Sequence, residues 1–174
     1  MALGQLQKVL QIVGYQNSGK TTLMEQLISQ AATEGLQVGT IKHHGHGGPP
    51  MSDNAKDSIR HEQAGASVTA VEGAGTMRMS IQQSNWQLAD ILAIYATFNI
   101  DIILIEGYKN EHHSKVVLLR TLEDQELLQK VTNIICVLYW PTYPLEKQLE
   151  YPTFSIHDKA KYMEFLMKEM RGKS

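Results

Sequence analysis

Residues 14–21 read Gly-Tyr-Gln-Asn-Ser-Gly-Lys-Thr, and this stretch decides the fold. It matches, at every defined position, the pattern GxxxxGK followed by Ser or Thr. The short β-branched run Val9–Val13 leads into it and predicts a buried strand. After it, apolar residues recur at the spacing of one helix face, namely Met24, Leu27, Ile28 and Ala31. Gly35 then predicts the end of this helix. The predicted order is therefore strand, glycine-bounded loop and helix.

This loop predicts a site for a nucleotide phosphate. Backbone N–H groups of such a loop converge on a phosphate at the start of a helix, where the helix dipole adds partial positive charge. We expect Lys20 to reach the β and γ oxygens and the Thr21 hydroxyl to bind Mg²⁺. The predicted nucleotide-binding residues are Gly14, Gln16, Asn17, Ser18, Gly19, Lys20, Thr21 and Thr22.

Acidic residues that follow strands are the candidates for the metal side of the site. Glu106 follows the apolar run Ile102–Ile105, and an acid at the end of a buried strand can hold Mg²⁺ directly or through water. Asp57 is favoured over Asp53 as a second acid because it lies in a compact polar cluster with Lys56, Ser58 and Arg60. We therefore predict Thr21, Glu106 and Asp57 as metal residues, and Lys20, Asp57 and Glu106 as catalytic. The alternatives are a solvated carboxylate at Glu106 and a helix cap at Asp57 or Asp53.

The rest of the chain alternates between the two periodicities. The predicted strands are Gln37–Ile41, Ser67–Val71, Met77–Ile81, Ile100–Ile105, Val116–Leu119 and Ile134–Leu138. The predicted helices are Asp57–Ala64, one capped by Asn85 and continuing to Tyr95, Glu123–Gln129, and one from about Asp158. This order is typical of an α/β domain with three layers and a mostly parallel sheet, here with an inserted β-hairpin around Glu72–Gly75. We expect residues 1–174 to form a single phosphate-loop NTP-binding domain.

The composition and charge of the chain argue against several classes of function. The net charge of −2 argues against general binding to nucleic acid or to an anionic membrane, so partners must be recognised locally. No apolar run approaches the roughly 18 residues of a membrane span, and the N-terminus does not resemble a secretory leader. The single Cys136 lies in an apolar run, which favours a buried thiol and a reducing, cytoplasmic setting.

The hairpin also suggests a contact between copies of the chain. Met77, Met79 and Ile81 alternate with polar residues and lie on one face of a strand. They could be plain core, but on a hairpin that extends from the domain this face would need a partner. Homodimerisation through it is our hypothesis.

Two features leave alternatives open. The tract Lys42–His46 contains three histidines, which could bind a transition metal, although a polar loop beside the phosphate site is the simpler interpretation. The Asn/Thr-Lys-x-Asp segment with which common GTPases recognise guanine is absent. The stretches 140–144 and 155–159 are positioned to contact a base, and Asp158 is equally suited to cap a helix.

Several motifs together resemble one family. These are Gly14–Thr22, Thr40–His44, Lys56–Arg60 with Ala64–Ala66, and Ile105–Lys109, and they occur in the order and spacing of the MobB family of molybdopterin-guanine dinucleotide biosynthesis adaptor proteins. The resemblance covers about residues 8–140. It is more specific than the phosphate loop alone, because the Lys-His tract, Lys-Asp-Ser and Glu-Gly-Tyr-Lys accompany that loop.

The resemblance implies a homodimeric, weakly hydrolytic GTP-binding protein that requires Mg²⁺. The implied partners are a molybdopterin guanylyltransferase of the MobA type, which joins GMP to molybdopterin, and other proteins of molybdenum cofactor biosynthesis. GTP rather than ATP follows from the resemblance and not from the residues. Two other classes stay open, a small-molecule kinase that uses the same loop and a metallochaperone NTPase that uses the histidine tract.

Overall fold

The computed structural model describes residues 7–43, 56–143 and 149–171. Within these, the chain divides into two compact units. The first consists of residues 7–43, 93–143 and 149–171, and the second of residues 56–92. That residues 1–174 act as a single domain stays a prediction.

The described chain contains eight strands and five α-helices. In order they are β1 (Lys8–Gly14), α1 (Lys20–Thr33), β2 (Val38–Lys42), α2 (Lys56–Gln63), β3 (Val68–Gly73), β4 (Thr76–Ile81), α3 (Leu88–Tyr95), β5 (Ile102–Glu106), β6 (Ser114–Leu119), a 3-10 turn (Leu122–Glu126), α4 (Leu127–Lys130), β7 (Ile134–Tyr139), β8 (Thr153–Ser155) and α5 (Lys159–Arg171). The boundary between the two units falls within α3.

The first unit is built on a six-stranded parallel sheet in the order β2-β5-β1-β6-β7-β8. The central strands are buried on both faces because their side chains are apolar almost throughout, as expected of a parallel sheet. All carboxyl ends of parallel strands point to one edge of the sheet. The loop that follows β1 and the residue Glu106 that ends β5 therefore share that edge.

Two apolar cores lie on opposite faces of this sheet. On one face, α1 and α5 pack through residues that include Leu23, Leu27 and Leu166. On the other face, Leu127 of α4 packs with Val117 and Val137 of the sheet. Helices on both faces confirm the predicted three-layer α/β architecture. Cys136 is fully buried in the first core, as expected.

The second unit contains α2 and an antiparallel hairpin made of β3 and β4. The hairpin was predicted and is confirmed, with Val68 opposite Ile81 and Gly73 opposite Thr76. Helix α2 contacts this hairpin where the hydroxyl of Thr69 donates to a carboxylate oxygen of Glu62 at 2.9 Å.

Two predicted helices differ from the structure in detail. The segment expected to be helical over Glu123–Gln129 begins as a 3-10 turn, because the Asp124 carboxylate accepts the N–H groups of Arg120 and Thr121 at 2.6 and 3.0 Å. The second helix was expected to start directly after Asn85 as its cap, but α3 begins at Leu88, three residues after Asn85.

Within the described residues, no helix is both long enough and apolar enough to cross a membrane.

Candidate nucleotide site

The phosphate loop, as residues 14–21 are named from their sequence pattern, follows the central strand β1 and leads into α1. At its two glycines it has no room for a larger residue or no suitable backbone conformation for one. A Cβ added at Gly14 would lie 2.5 Å from Ser18 Oγ and 3.0 Å from the Leu118 carbonyl oxygen. Gly19 has a φ of 98°, a left-handed conformation that favours glycine, and it stands directly before the helix. The two glycines of the motif are therefore required, one by close packing and the other by backbone conformation.

Lys20 folds back over the loop. Its ammonium donates to the carbonyl oxygen of Tyr15 at 2.7 Å. Burial lowers the pKa of Lys20, the carboxylate of Glu106 opposes this shift, and the positive charge of Lys42 adds to it. The hydrogen bond to Tyr15 thus holds the ammonium against the loop.

Glu106 is the acid that the structure brings to this loop. Its side chain is nearly buried at the carboxyl end of β5, with a residue exposure of 9%. The Thr21 hydroxyl lies 3.3 and 3.5 Å from its two carboxylate oxygens. Lys42, its register partner on β2, places Nζ 3.3 Å from Oε1. The structure therefore brings together Thr21 and Glu106, two of the three predicted metal residues, and places Lys42 beside them; their metal role stays a prediction.

The donor chemistry at this point fits Mg²⁺. A hydroxyl and a carboxylate are hard oxygen donors, and Mg²⁺ in such sites takes few protein ligands and keeps waters and phosphate oxygens. The described residues contain no group of three or more His, Cys, Asp or Glu side chains arranged to hold a metal by themselves. Thr21 and Glu106 are thus suited to an ion that arrives with a phosphate and not to an all-protein cage.

The phosphate loop itself carries an unpaired polar atom. Ser18 is 1% exposed, and its buried hydroxyl has no hydrogen-bond partner within the described residues. Buried hydroxyls are normally paired, so an unpaired one in the middle of a loop of this pattern is consistent with a ligand-binding loop.

Two buried polar residues hold the segment that follows Glu106. Gln11 donates to the carbonyl oxygens of Gly107 and Tyr108 at 3.1 and 2.8 Å. Lys115, which has no exposed surface, donates to the carbonyl oxygens of Glu111 and His113. Burial lowers the pKa of Lys115. Sequence reasoning missed both residues. Gln11 had a signal, since it is a polar residue inside the run Val9–Val13 that otherwise predicts a buried strand, whereas Lys115 directly precedes the run Val116–Leu119 and had none.

On the other side of the loop, two side chains bind its backbone. Arg120 donates from Nη1 to the carbonyl oxygen of Asn17 at 2.9 Å. Trp140 donates from Nε1 to the carbonyl oxygen of Ser18 at 2.8 Å. The sequence predicted that the stretch beginning at Trp140 is positioned to contact a base; the structure places Trp140 against residues 14–21, and contact with a base stays a prediction. Arg120 was missed, although it directly follows a strand that neighbours β1.

The remaining candidates are Asp57, Asp53 and the histidine tract. Asp57 belongs to the second unit, on α2, where its side chain is 90% exposed and lies 3.9 Å from Nη1 of Arg60. Asp53 and the histidines at 44 and 46 lie outside the described residues. His43, the described part of that tract, packs its ring against Tyr108 with centroids 4.4 Å apart. The role of Asp57 stays a prediction.

The hairpin of the second unit carries the exposed apolar face that the sequence suggested. Val68, Met77 and Met79 lie on one face by the strand register, and about half of the surface of each is exposed. This face is not core within the described residues.

Comparison with known proteins identifies relatives over the whole chain. A family model described as molybdopterin guanine dinucleotide synthesis protein B, MobB, matches residues 9–140. A probable molybdopterin-guanine dinucleotide biosynthesis adapter protein of Bacillus subtilis is 40% identical over 175 residues, spanning 100% of this chain and 99% of that protein. The corresponding adapter protein of Haemophilus influenzae is 31% identical over 79% of this chain and 76% of its own length.

Solved structures agree with this fold. The crystal structure of a MobB protein homolog from Bacillus stearothermophilus superposes with a TM-score of 0.78 at 42% identity, covering 95% of this chain and 99% of that one. The crystal structure of Bacillus subtilis MobB gives a TM-score of 0.84 at 36% identity with the same coverage.

Proposed function

This chain belongs to the MobB family of molybdopterin guanine dinucleotide synthesis proteins, and on that premise we propose that it is a Mg²⁺-dependent GTP-binding adapter in the biosynthesis of molybdopterin-guanine dinucleotide. The observation that carries the nucleotide part is that the Thr21 hydroxyl lies against the Glu106 carboxylate while the adjacent Lys20 folds over the loop of residues 14–21. The adapter part rests on family membership, because the relatives are named for that role.

In this proposal the loop amides and Lys20 bind the phosphates. Residues 14–21 present backbone N–H groups at the start of α1, and Lys20 exchanges its bond with the Tyr15 carbonyl for the β and γ oxygens. Thr21 and Glu106 would hold Mg²⁺, which when bound supplies positive charge against the phosphate oxygens. Asp57 is proposed as a further acid on the metal side.

Hydrolysis by this site is proposed to be slow. The Glu106 carboxylate already contacts the Thr21 hydroxyl and the Lys42 ammonium, and a carboxylate held by a cation is a poor base for removing a proton from water. A general base must be within hydrogen-bond reach of the proton that it takes. The protein would therefore act by binding GTP more than by consuming it.

The proposed partners are a second copy of this chain and a molybdopterin guanylyltransferase of the MobA type. The dimer is supported by the exposed face of Val68, Met77 and Met79, since exposed apolar patches mark interaction sites. The transferase and other molybdenum-cofactor proteins are proposed because an adapter works on an enzyme of the same pathway.

The test is competition of GTP, GDP and ATP against a fluorescent nucleotide, with and without Mg²⁺. We expect GTP to compete best and to depend on Mg²⁺. Lys20→Ala should abolish binding and leave the circular dichroism spectrum unchanged, while Lys168→Ala, on the exposed side of α5, should bind normally. Unchanged affinity in Lys20→Ala would remove the assignment of the phosphate site.

A further inference from the structure

A small cavity begins where the phosphate loop ends. Its volume is about 230 Å³, and it lies between the first turns of α1 and the segments that follow β7 and β8. Gly19 and Thr22 line it from the loop and the helix, and Trp140 and His157 line it from the other two segments. The volume is below the roughly 300–1,000 Å³ of a site for a whole ligand, so the cavity fits one part of a ligand.

Trp140 is a fixed wall of this cavity. Its Nε1 donates to the Ser18 carbonyl at 2.8 Å, and its backbone N–H donates to the carbonyl oxygen of Leu119 at 2.9 Å. The guanidinium of Arg120 lies over the indole, 5.5 Å from the ring centroid. The ring is therefore held by contacts to the phosphate loop and to the neighbouring strand and is already in place for a ligand.

The ring of His157 lies nearly perpendicular to the ring of Trp140. The two ring centroids are 6.3 Å apart and the ring planes make an angle of 77°. The turn before α5 fixes the backbone at this position, because the backbone N–H of His157 donates to Ser155 Oγ and the backbone N–H of Asp158 donates to the Ser155 carbonyl. The two rings thus form an aromatic corner, in which a flat group can stack on one ring and place its edge against the other.

We propose that this corner binds the purine base of the nucleotide, by stacking and not by the Asn/Thr-Lys-x-Asp readout that the sequence lacks. The inference rests on the proposed function, since the phosphates must sit on residues 14–21. A nucleotide so placed extends from Gly19 along Thr22 into the cavity, and both residues line it. Stacking on aromatic side chains is sequence-tolerant but favours large bases, so purines are preferred to pyrimidines.

The test compares ligands with and without a base. Dissociation constants for GTP, CTP and inorganic tripolyphosphate are measured by calorimetry, with Mg²⁺, for the full chain and its variants. His157→Ala should weaken GTP binding about 10-fold and keep the affinity for tripolyphosphate within about 2-fold. Trp140→Ala should weaken GTP binding about 10- to 100-fold and tripolyphosphate binding by a smaller factor, because Trp140 also holds the Ser18 carbonyl of the phosphate loop. His61→Ala, an exposed histidine of the second unit, is the matched control and should change neither.

A second readout does not depend on deleting an aromatic ring. The chain has two tryptophans, so Trp86→Phe leaves Trp140 as the only indole. GTP should quench the fluorescence of this protein more than tripolyphosphate does, because only GTP carries a base to the ring.

The outcomes separate this inference from the proposed function. If the wild-type chain binds none of the three ligands, both are overturned. If GTP binds and the ratio of GTP to tripolyphosphate affinity is the same in all variants, or if CTP binds as tightly as GTP, the base site is overturned and the phosphate site stands.

Discussion

Gln11 of β1 and Lys115 of β6 are register partners on neighbouring strands, and both side chains donate to backbone carbonyls of the segment 107–113. That segment directly follows Glu106. Two polar groups buried in the sheet therefore position the chain that follows Glu106, the acid proposed to hold Mg²⁺.

Removing the ammonium of Lys115 should destabilise the protein. Lys115→Met keeps most of the volume and leaves two carbonyl oxygens without their donor, which we expect to cost about 1–3 kcal/mol in the free energy of unfolding by urea at pH 7. Lys109→Met is the control, because Lys109 is exposed on the same segment and should change stability by less than about 0.5 kcal/mol. Equal stability of the two variants would contradict a structural role for Lys115.

Glu106 should carry the Mg²⁺ dependence of nucleotide binding. Glu106→Gln keeps the shape and removes the charge, so the factor by which Mg²⁺ raises GTP affinity should fall about 10-fold or more. Lys42→Gln removes the cation that lies 3.3 Å from the same carboxylate and should leave that factor unchanged or larger. Titrations of GTP with and without Mg²⁺ measure both, and an unaltered Mg²⁺ effect in Glu106→Gln would exclude this residue from the metal site.

Association should depend on one face of the hairpin. Met79→Asp introduces a charge beside Met77 and Val68, and we expect a dimer to become a monomer in sedimentation at micromolar concentration. Thr76→Asp places the same charge on the opposite face and should remain dimeric. A monomeric wild-type chain, or a dimeric Met79→Asp, would refute this interface.

Cys136 should be inert while the protein is folded, and it should make stability depend on alkaline pH. Burial raises the pKa of its thiol to about 12. Above the ordinary thiol pKa the unfolded chain releases this proton and the folded chain keeps it, so the contribution to stability falls as the pH rises. Between pH 7.5 and 9.5 the free energy of unfolding should drop by about 1 kcal/mol more in the wild type than in Cys136→Ala.

The measurements are urea unfolding at the two pH values and the rate of reaction with a thiol reagent. Reaction of the folded protein at the rate of a free thiol, or parallel pH dependence of the two proteins, would contradict the buried environment.

Sequence reasoning found the parts of the site that are local. The strand, loop and helix around Gly14–Thr21 follow from neighbouring residues, and Glu106 follows from its place at the end of an apolar run. Arg120 and Gln11 could not be assigned this way, because their bonds to Asn17 and to residues 107 and 108 require β6 and β5 to lie beside β1 and join residues about 100 positions apart. Lys115 directly precedes its apolar run and bonds to nearby carbonyls, so the strand pattern did not predict its burial.

Hydrophobic periodicity also failed to predict some of the secondary structure. Periodicity predicted the long helices well, but β8 has only three residues, too few for a pattern to appear. The carboxylate of Asp124 turns the predicted helix at 123–129 into a 3-10 start, because it binds two N–H groups that precede that helix. Such side-chain bonds to the backbone compete with regular helix and leave little trace in hydrophobic spacing.

The position of β1 inside the sheet predicts that this strand is among the last parts of the sheet to open. Both of its edges are hydrogen bonded, to β5 and to β6, whereas β2 and β8 each have one free edge in the described sheet. Amide protons of β1 should accordingly be among the slowest to exchange with deuterated solvent, and those of the two edge strands faster. The segment that carries the phosphate loop would then keep its geometry through the partial openings that expose the margins of the sheet.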